Sequence, residues 1–542
     1  EELNKNGFED IVSPYDLNEH LHEQIAEDNI LFRDKLDNIN QNSSFLTLCD
    51  ESFKNILVQC FSSINFFLKF IKKDTLYICL LDNNLSKKNY TEVINLILDT
   101  IILKKYGIFK LGYFFNNKKN FLIKKIVNNV LFFSIKKKNI IFNFLENKKK
   151  ISKINNDIEI KFTVSSNSRT KNLFQIFKSF LNFFTSSNIK IIYPEIRYKR
   201  NIKLEDEIDN FFKFIDMDAL KFKNKNLISF LSEIKLYETA LINFLDKRFK
   251  NLSLRYLVAD FLTWMDPNII AKFLNKKNLK IFLCSHGNID SSNDPLAKAE
   301  LLSLARGLNY SEYASSLIAQ NPAAYEISKE LTNSKKINII KSHPVAYRGK
   351  RAAKKINQDN IKILFAGTYK VFLSRPYIYQ GSYQFLDTIK KISKVFKNFN
   401  NVEVSFNIRT NDEINNNLFN KILEDLPRSK IFFNSNIENL MQNNHLLITN
   451  FSTLIDEFSY LKKPVIILND FIKYECYKHF YSQKSNNNFL DPVYYLGSAE
   501  LNNKISDILE KIRENVKVNK PNHIWEIDEA IDSQTLLKTI NE

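Results

Sequence analysis

The sequence has few cysteines and few glycines, and both shortages exclude familiar kinds of site. Its five cysteines are scattered and no two form a C-x-x-C pair, so zinc ribbons and thioredoxin-type redox centres have no support. Its 542 residues include nine glycines, and neither G-x-G-x-x-G nor G-x-x-x-x-G-K-[ST] occurs. The usual glycine-rich sites for dinucleotides and for nucleoside triphosphates are therefore excluded.

Long apolar runs are missing as well. No stretch reaches about 18 apolar residues without a charge, so no membrane-spanning helix is predicted. The N-terminal segment lacks a basic start followed by an apolar block, which is the pattern of a secretory signal peptide. An odd, scattered set of cysteines is typical of a reducing compartment. We therefore expect a cytoplasmic location.

Positive charge is abundant but unevenly distributed. The formal net charge is +18, yet residues 1–50 hold 3 basic and 12 acidic residues, while residues 101–200 hold 22 basic and 4 acidic ones. Such a basic block is compatible with a merely solvated surface, an anionic membrane surface or nucleic acid. These alternatives stay open. Peripheral contact with the inner face of the plasma membrane is one hypothesis, and no specific nucleic-acid partner is predicted because no recognised module is present.

Apolar periodicity divides the chain into three regions. Residues 1–150 form an accessory region of mixed α/β character that begins with a helical arm and contains a strand at Thr75–Leu81. Residues 151–345 and 346–542 each alternate between strands and helices, which predicts parallel sheets covered by helices. The predicted strands are 158–164, 189–196, 254–261, 279–285, 361–367, 401–408, 429–435, 445–449 and 464–469. The predicted helices are 170–185, 205–250, 266–276 with Asp266 as its cap, 382–397, 437–443, 452–463, 501–517 and 525–540.

A histidine follows a predicted buried strand of the first domain. His286 and Gly287 come directly after strand 279–285, at the carboxyl end where open parallel sheets bind ligands. An imidazole there can take a proton from a hydroxyl nucleophile, and the glycine lets a substrate approach the backbone. Asp260 is the carboxylate at a neighbouring strand end. The alternative for His286 is an ordinary loop histidine.

The segment HLLITNFSTLIDEFSYLKKPVIIL carries the most candidate residues. Asn450 follows its first strand, and Ser452 is the predicted cap of a helix whose exposed N–H groups can bind an anion. The hydroxyls of Ser452 and Thr453 can donate hydrogen bonds to a phosphate. Glu457 lies one turn further on the same helix face, where a carboxylate can accept hydrogen bonds from a ribose diol. The alternative is a simply capped helix whose acidic residues are exposed.

Four other residues are candidates by position. Gly367 and Thr368 stand at a strand end, where a glycine permits close approach of a phosphate or a sugar, or forms a plain turn. Arg409 follows the next strand, where a guanidinium can neutralise a diphosphate or simply be solvated. His343 lies in a basic stretch that is either a linker between the domains or part of the cleft.

The order of these predicted strands and of the residues that follow them resembles the GT-B type glycosyltransferases. The resemblance is in particular to the bacterial surface-carbohydrate and CDP-glycerol glycerophosphotransferase-like group. The resemblance covers residues 254–470. It implies an α/β fold with two Rossmann-like domains that face a central cleft, preceded by a mostly helical N-terminal extension. The donor would bind in the second domain, and the acceptor would enter from the first.

The resemblance also implies a function. It is that of a transferase that moves a sugar or polyol-phosphate from a nucleotide-sugar or CDP-polyol donor to a glycan or lipid-linked acceptor of a capsule, lipopolysaccharide or teichoic-acid type. His286 would be the base or a donor contact, Ser452 and Thr453 the phosphate contacts, and Glu457 the ribose contact. Relatives commonly have a basic residue, often followed by His-Pro, at the position of Arg409, where Thr-Asn follows here. No tightly bound cofactor and no metal are expected.

Two other functions remain. A non-hydrolysing nucleotide-sugar 2-epimerase shares the implied fold, but it needs carboxylates around the sugar, and Asp260 is the candidate for that role in the first domain. A non-catalytic basic binding or scaffold protein is the other alternative. It predicts that His286, Ser452 and Glu457 do not face one cleft.

Overall fold

The computed structural model describes most of the chain beyond residue 202 and separate pieces before it. The described ranges are 19–39, 77–81, 108–112, 130–134, 202–215, 225–249, 254–259, 265–285, 289–332, 337–344, 360–367, 382–408, 428–433, 437–470, 475–481 and 489–541, with isolated residues between them. Several predicted features lie outside these residues: the elements at 158–164, 170–185 and 189–196, and the site candidates Asp260, His286, Gly287, Thr368 and Arg409.

The N-terminal region contributes a helix and a small parallel strand pair. Helix α1 spans Glu19–Asn38, and strands β1 (Tyr77–Leu81) and β2 (Ile108–Gly112) pair in parallel. The strand predicted at Thr75–Leu81 is confirmed as β1. Asp37 of α1 forms ion pairs with Lys54 at 3.0 Å and with Arg306 at 3.6 Å, so this helix is attached to the first domain.

The first domain is built on a five-stranded sheet in the order β3-β4-β5-β6-β7. Strands β4 to β7 are parallel, and β3 pairs antiparallel with β4 at one edge. Strand β3 comes from the segment that the sequence places in the accessory region. The strands are β3 (Val130–Ser134), β4 (Leu254–Ala259), β5 (Lys280–Cys284), β6 (Ser316–Ala319) and β7 (Asn338–Lys341).

Two helices of this domain begin with a proline that directly follows the N-cap residue. Asp294 and Asn321 each accept a hydrogen bond from an N–H of the first turn, and the next residue is proline. The predicted cap Asp266 is wrong, because its helix begins one residue earlier, at Met265. The helices are α2 (Ile202–Ile215), α3 (Lys225–Phe249), α4 (Met265–Lys276), α5 (Pro295–Ala305) and α6 (Pro322–Leu331).

The second domain is a doubly wound, fully parallel sheet of six strands in the order β10-β9-β8-β11-β12-β13. This is the strand order of a dinucleotide-binding α/β fold. The first three strands are added toward one edge of the sheet, and the fourth to sixth strands are added toward the other edge. The strands are β8 (Ile361–Gly367), β9 (Val402–Ile408), β10 (Ser429–Phe433), β11 (Leu446–Thr449), β12 (Val465–Leu468) and β13 (Val493–Leu496).

Helices cover both faces of this second sheet. Ile363 and Phe365 of β8 pack in one core with helices α7 and α10, whereas Leu364 and Ala366 pack on the opposite face with α8 and α9. The helices are α7 (Ser382–Phe396), α8 (Ile437–Asn443), α9 (Leu454–Tyr460) and α10 (Ser498–Arg513), followed by α11 (Ser533–Asn541). The predicted α/β class with two Rossmann-like domains is therefore confirmed.

The two domains share a buried apolar core and are joined again by the C-terminal segment. Residues of α5 and α6 belong to the same buried cluster as residues of α8 and α9. Past α10 the chain returns to the first domain, where the Ile531 N–H donates to the Lys341 carbonyl at 3.1 Å. The helix predicted at 525–540 begins only at Ser533, because Asp532 caps it by accepting from the Thr535 N–H at 2.7 Å.

Candidate functional site

The strand order reverses between β8 and β11, which makes the carboxyl end of these two strands the switch point of the second sheet. Ligands of open α/β sheets bind at such switch points. Thr449, the last residue of β11, donates its hydroxyl proton to the Ala366 carbonyl of β8 at 2.7 Å. The two strands are therefore held together at the switch point, and Gly367 and Asn450 follow on either side.

Gly367 is required by packing at the end of β8. A Cβ atom on this residue would lie 2.5 Å from Cε2 of Phe385 and 3.1 Å from Cζ of Phe365. Both aromatic side chains are buried, so neither can move aside freely. The close neighbour that explains the glycine is thus an aromatic ring of α7. Close approach of a sugar or a phosphate at Gly367 stays a prediction.

Replacing Gly367 with alanine is expected to lower the free energy of unfolding by about 1–3 kcal/mol, because the added methyl group overpacks this aromatic contact. Gly497 provides a matched control, since its Cβ would meet Asp470 Oδ1 at an ordinary 3.4 Å. Urea denaturation of both variants measures the difference. Equal stability of Gly367→Ala and Gly497→Ala would contradict the packing argument.

Asn450 bridges two strands at the switch point. Its Nδ2 donates to the Leu468 carbonyl at 3.0 Å, and its buried Oδ1 has no hydrogen-bond partner among the described residues. A buried acceptor without a partner is costly, so it marks a position where a ligand or water donor fits. This geometry supports the predicted donor-binding role of Asn450 without testing it.

The start of α9 differs from the prediction. The helix spans seven residues and begins at Leu454, whose N–H donates to Ser452 Oγ at 3.2 Å. Thr453, and not Ser452, occupies the N-cap position, and its side chain makes no capping hydrogen bond. Because so short a helix has little dipole, anion binding here has to rely on local hydroxyl and N–H groups.

The acidic residues of α9 are buried. Asp456 and Glu457 both have no exposed surface, so the alternative in which they point into solvent is wrong. The predicted contact between Glu457 and a ribose remains a prediction. The Glu457 side chain is fully buried here, so its carboxylate is not exposed to a ligand in this conformation. Asp456, which the sequence argument did not select, takes part in a network between the domains.

This network joins residues that are far apart in the sequence. Asn321, at the carboxyl end of β6, donates from Nδ2 to Asp456 Oδ1 and to the Tyr477 hydroxyl, each at 3.2 Å. The His523 ring stacks on the Tyr477 ring with centroids 4.4 Å apart, and its Nε2 lies 3.7 Å from Asp456 Oδ1. The Tyr481 hydroxyl and His523 Nδ1 also share a hydrogen bond. The carboxyl edges of both sheets therefore meet at one buried polar cluster.

Burial lowers the pKa of His523 to about 3, so its imidazole is neutral in the folded protein at neutral pH. An unfolded histidine titrates near 6.5, so between these two values the unfolded state binds more protons than the folded state. Stability conferred by neutral His523 is therefore fully present above about pH 6.5 and is lost as the pH falls toward 3.

Replacing His523 with glutamine should flatten this dependence. Between pH 6 and pH 4 the wild-type protein is expected to lose about 1.4 kcal/mol per pH unit more than the variant, which is the limiting slope for one group. Denaturant titrations at pH 4, 5, 6 and 8 measure the slope, and pH 8 provides the reference for the cost of the substitution itself. Parallel pH profiles for the two proteins would contradict the assignment.

The described residues on either side of His286 are held by hydrogen bonds. Before it, the Ser285 carbonyl accepts a hydrogen bond from Gln320 Nε2. After it, Asp290 accepts from the Tyr477 N–H at 2.5 Å and from the Ser291 N–H at 2.8 Å. Burial raises the pKa of Asp290 to about 7, against the opposing effect of His479 and of these N–H groups. The described flanks of the candidate base thus lie at the domain interface.

Two more histidines lie near this interface. His479 Nε2 is 3.2 Å from Glu326 Oε2, and its Nδ1 is 3.7 Å from Asp290 Oδ1. His343 follows the carboxyl end of β7, and its Nε2 lies 3.1 Å from the Ile527 carbonyl. His343 therefore contacts the returning C-terminal segment, and its predicted role in the cleft stays untested.

Sequence reasoning missed the residues that form the interface. A weak signal was present for Asn321, because Asn-Pro before an apolar stretch is a helix-start pattern and places the residue at a strand end. Asp290, Tyr477, His479 and His523 lie in irregular or short helical segments and have no recognisable motif. Only tertiary contacts across 187 residues bring Asp290 and Tyr477 together.

The described part of the chain contains neither a cluster of metal-binding side chains nor a helix that could cross a membrane. No group of three or more His, Cys, Asp or Glu side chains there is arranged to hold a metal ion. Within the same residues, every helix is too short or too polar to cross a membrane.

Comparisons with known proteins found similar solved structures. No protein-family model matches the chain, and no match was found among curated proteins. Similar solved structures include the UDP-GlcNAc 2-epimerase of Neisseria meningitidis bound to UDP-GlcNAc, with 14% identity, a TM-score of 0.38 and coverage of 70% of this chain and 97% of that one. The UDP-GlcNAc 2-epimerase of Methanocaldococcus jannaschii in complex with UDP-GlcNAc and UDP has 12% identity, a TM-score of 0.39 and coverage of 69% and 96%.

A transferase is similar as well. The apo form of the lipopolysaccharide outer core galactosyltransferase WaaB has 12% identity, a TM-score of 0.30 and coverage of 53% of this chain and 73% of that one. None of these three proteins is a CDP-glycerol glycerophosphotransferase. Since all three TM-scores lie below 0.5, the α/β assignment rests on the two parallel sheets of the chain itself.

Proposed function

We propose that this chain is a nucleotide-sugar-dependent transferase that moves a sugar or polyol-phosphate group to a surface-glycan acceptor. The observation that carries the proposal is the switch point between β8 and β11, since its carboxyl edge is also where residues from both domains meet. A crevice between two such carboxyl edges suits a two-substrate transfer, because each sheet can present one substrate to the other.

Within this proposal the second domain binds the donor. Ser452 and Thr453 contact its phosphates, and the buried Asn450 Oδ1 accepts a hydrogen bond from it. The acceptor enters from the first domain, where His286 takes the proton of the attacking hydroxyl group. No step requires a metal ion in this scheme, since N–H and hydroxyl groups stabilise the charge that develops on the leaving phosphate.

Nucleotide binding tests the proposal directly. Calorimetry with UDP, CDP and GDP is expected to detect binding of at least one of them, and Ser452→Ala should weaken it by about tenfold, the effect of roughly 1.4 kcal/mol. Ser506→Ala is the matched control, because this exposed serine lies on α10, away from the switch point. No binding of any nucleoside diphosphate would reject the proposal, and equal affinity in both variants would reject the site.

A 2-epimerase remains a second candidate for a specific reason. Such an enzyme needs carboxylates near the sugar, and Asp290 and Glu326 bring two of them from the first domain to the same edge. Epimerisation at a carbon atom that bears hydrogen breaks a C–H bond. NMR of a UDP-sugar incubated with the protein in D2O would then reveal deuterium at C2 without any acceptor present, an outcome that a transferase does not predict.

A further inference from the structure

His479 lies where the carboxyl edges of the two sheets meet, and the proposed reaction has not yet used it. It belongs to a short 3-10 helix, Lys478–Tyr481, that follows β12 in the second domain. Its two neighbours come from the first domain: Glu326 is in the second turn of α6, and Asp290 is in the loop after β5. This imidazole therefore bridges the edge at which both substrates would bind.

The two carboxylates around His479 differ in how firmly they are held. The Asp290 side chain is fully buried and accepts two backbone N–H bonds, whereas the Glu326 side chain is 50% exposed. The His479 side chain itself is 32% exposed. Asp290 can thus orient the ring from its Nδ1 side, while Glu326 at Nε2 can be displaced by a ligand.

Backbone geometry supports a positioning role for this turn. Tyr477 has a φ of 62°, a conformation that costs energy in a residue with a side chain, and its N–H points to Asp290. Its ring stacks on the His523 ring, and its hydroxyl accepts a hydrogen bond from Asn321 Nδ2. Backbone outliers of this kind persist where the surroundings hold them, and they cluster at functional sites. The strained turn fixes His479 relative to Asp290.

The charges around His479 favour its protonated form. The hydrogen bond to Glu326 raises the pKa of His479, and the nearby Asp290 acts in the same direction against partial burial. Lys478 and Glu475 are the other charged groups of the same turn, and they pair with each other at 3.2 Å. A raised pKa favours the protonated imidazole, and a protonated histidine can serve as an acid.

From this geometry we propose that His479 is the general acid of the transfer reaction, with Asp290 as its positioning residue. The inference rests on the proposed transferase function. When the bond between the transferred group and the leaving nucleotide phosphate breaks, the phosphate oxygen keeps the electron pair and receives the Nε2 proton of His479. The acceptor oxygen forms the new bond, and its proton passes to a base, the role predicted for His286.

A change of leaving group separates acid catalysis from a merely structural role. With a natural nucleotide donor, His479→Asn is expected to lower kcat by about 100-fold or more, while donor affinity stays within about threefold. With a 2,4-dinitrophenyl glycoside or phosphodiester donor, whose leaving phenolate is a much weaker base than a nucleotide phosphate and departs without a proton, the same variant should retain most of its activity. Lys478→Gln is the control that removes a neighbouring cation, and it should leave kcat unchanged.

The pH profile gives a second, independent readout. In the wild-type enzyme, kcat should fall on the alkaline side as His479 loses its proton. Glu326→Gln removes the hydrogen-bonded carboxylate that raises the pKa of His479, so this alkaline limb should move to lower pH. An NMR titration of the His479 ring should show the same displacement of its pKa.

The outcomes distinguish this inference from the proposed function. Equal losses with natural and 2,4-dinitrophenyl donors, or an alkaline limb that Glu326→Gln does not move, would overturn the acid role while the transferase proposal stands. If thermal unfolding shows that His479→Asn does not fold, His479→Gln replaces it in the same comparison. Failure of the wild-type protein to bind or convert any nucleotide donor would reject both proposals.

Discussion

Replacing Trp525 with alanine is expected to lower the free energy of unfolding by about 3–5 kcal/mol, the range for a large buried aromatic residue. Trp525 is 8% exposed and anchors the C-terminal segment on the first domain. Its Nε1 donates to the Ala319 carbonyl at 3.2 Å, and its ring lies edge-on to Tyr325. Lys341 Nζ is 5.1 Å from the centroid of the Trp525 ring. The truncation removes all of these contacts at once.

Ile527 provides the matched control for this experiment. It lies two residues further on and is 93% exposed, so Ile527→Ala should change the free energy of unfolding by less than about 0.5 kcal/mol. Denaturant unfolding followed by fluorescence and by far-ultraviolet circular dichroism measures both variants. If Trp525→Ala were as stable as Ile527→Ala, the C-terminal segment would contribute little to holding the domains together.

Replacing Lys463 with methionine is expected to have the second large effect, on the order of 3 kcal/mol, since a buried charged donor would be lost from three acceptors. Lys463 is buried, and its Nζ donates to the carbonyls of Met441, Gln442 and Asn444 at 2.8, 2.9 and 2.6 Å. The Met441 and Gln442 carbonyls belong to the last turn of α8, where carbonyl groups lack partners within the helix, and the Asn444 carbonyl follows directly after it. Methionine fills a similar volume but donates no hydrogen bond, so three carbonyls lose their donor.

The neighbouring Lys462 is exposed and provides the control. Lys462→Met removes the same charge and has the same side-chain shape, yet it should be nearly neutral for stability. Burial lowers the pKa of Lys463 to about 8, so at pH 7 its ammonium group still carries a proton and can make three hydrogen bonds. Urea midpoints at pH 7 compare the two variants. A loss of similar size in both would show that charge, and not the capped helix end, matters.

Several elements could be predicted from local pattern alone. Strand β8 and helix α8 both have the bounds that were predicted for them. Both have strong apolar periodicity between clear breaks, and local propensity agrees with the tertiary environment there. Strands β6, β7 and β13 were missed. All three have four residues, and strands this short were recognised only in β11 and β12, where a predicted helix joins two apolar runs.

The start of α9 shows a different limit of sequence reasoning. Ser452 was a plausible cap, yet the structure shortens the helix to Leu454–Tyr460 and uses the Ser452 hydroxyl for a local turn. A serine hydroxyl can accept a hydrogen bond from the backbone N–H either two or three residues further on. Its presence therefore does not determine which residue begins the helix. The exposure of Asp456 was equally undetermined, because its burial depends on Asn321 and on packing of the second domain against the first.

By itself, the sequence determined the two parallel α/β units and the strand ends that carry Gly367, Asn450 and Ser452. These features follow from apolar periods and capping residues, which act over a few positions along the chain. The tertiary structure alone decided that β3 joins the first sheet, that the C-terminal segment returns to Lys341, and that His479 meets Asp290. Contacts between distant segments depend on how whole layers pack, and no local pattern encodes that arrangement.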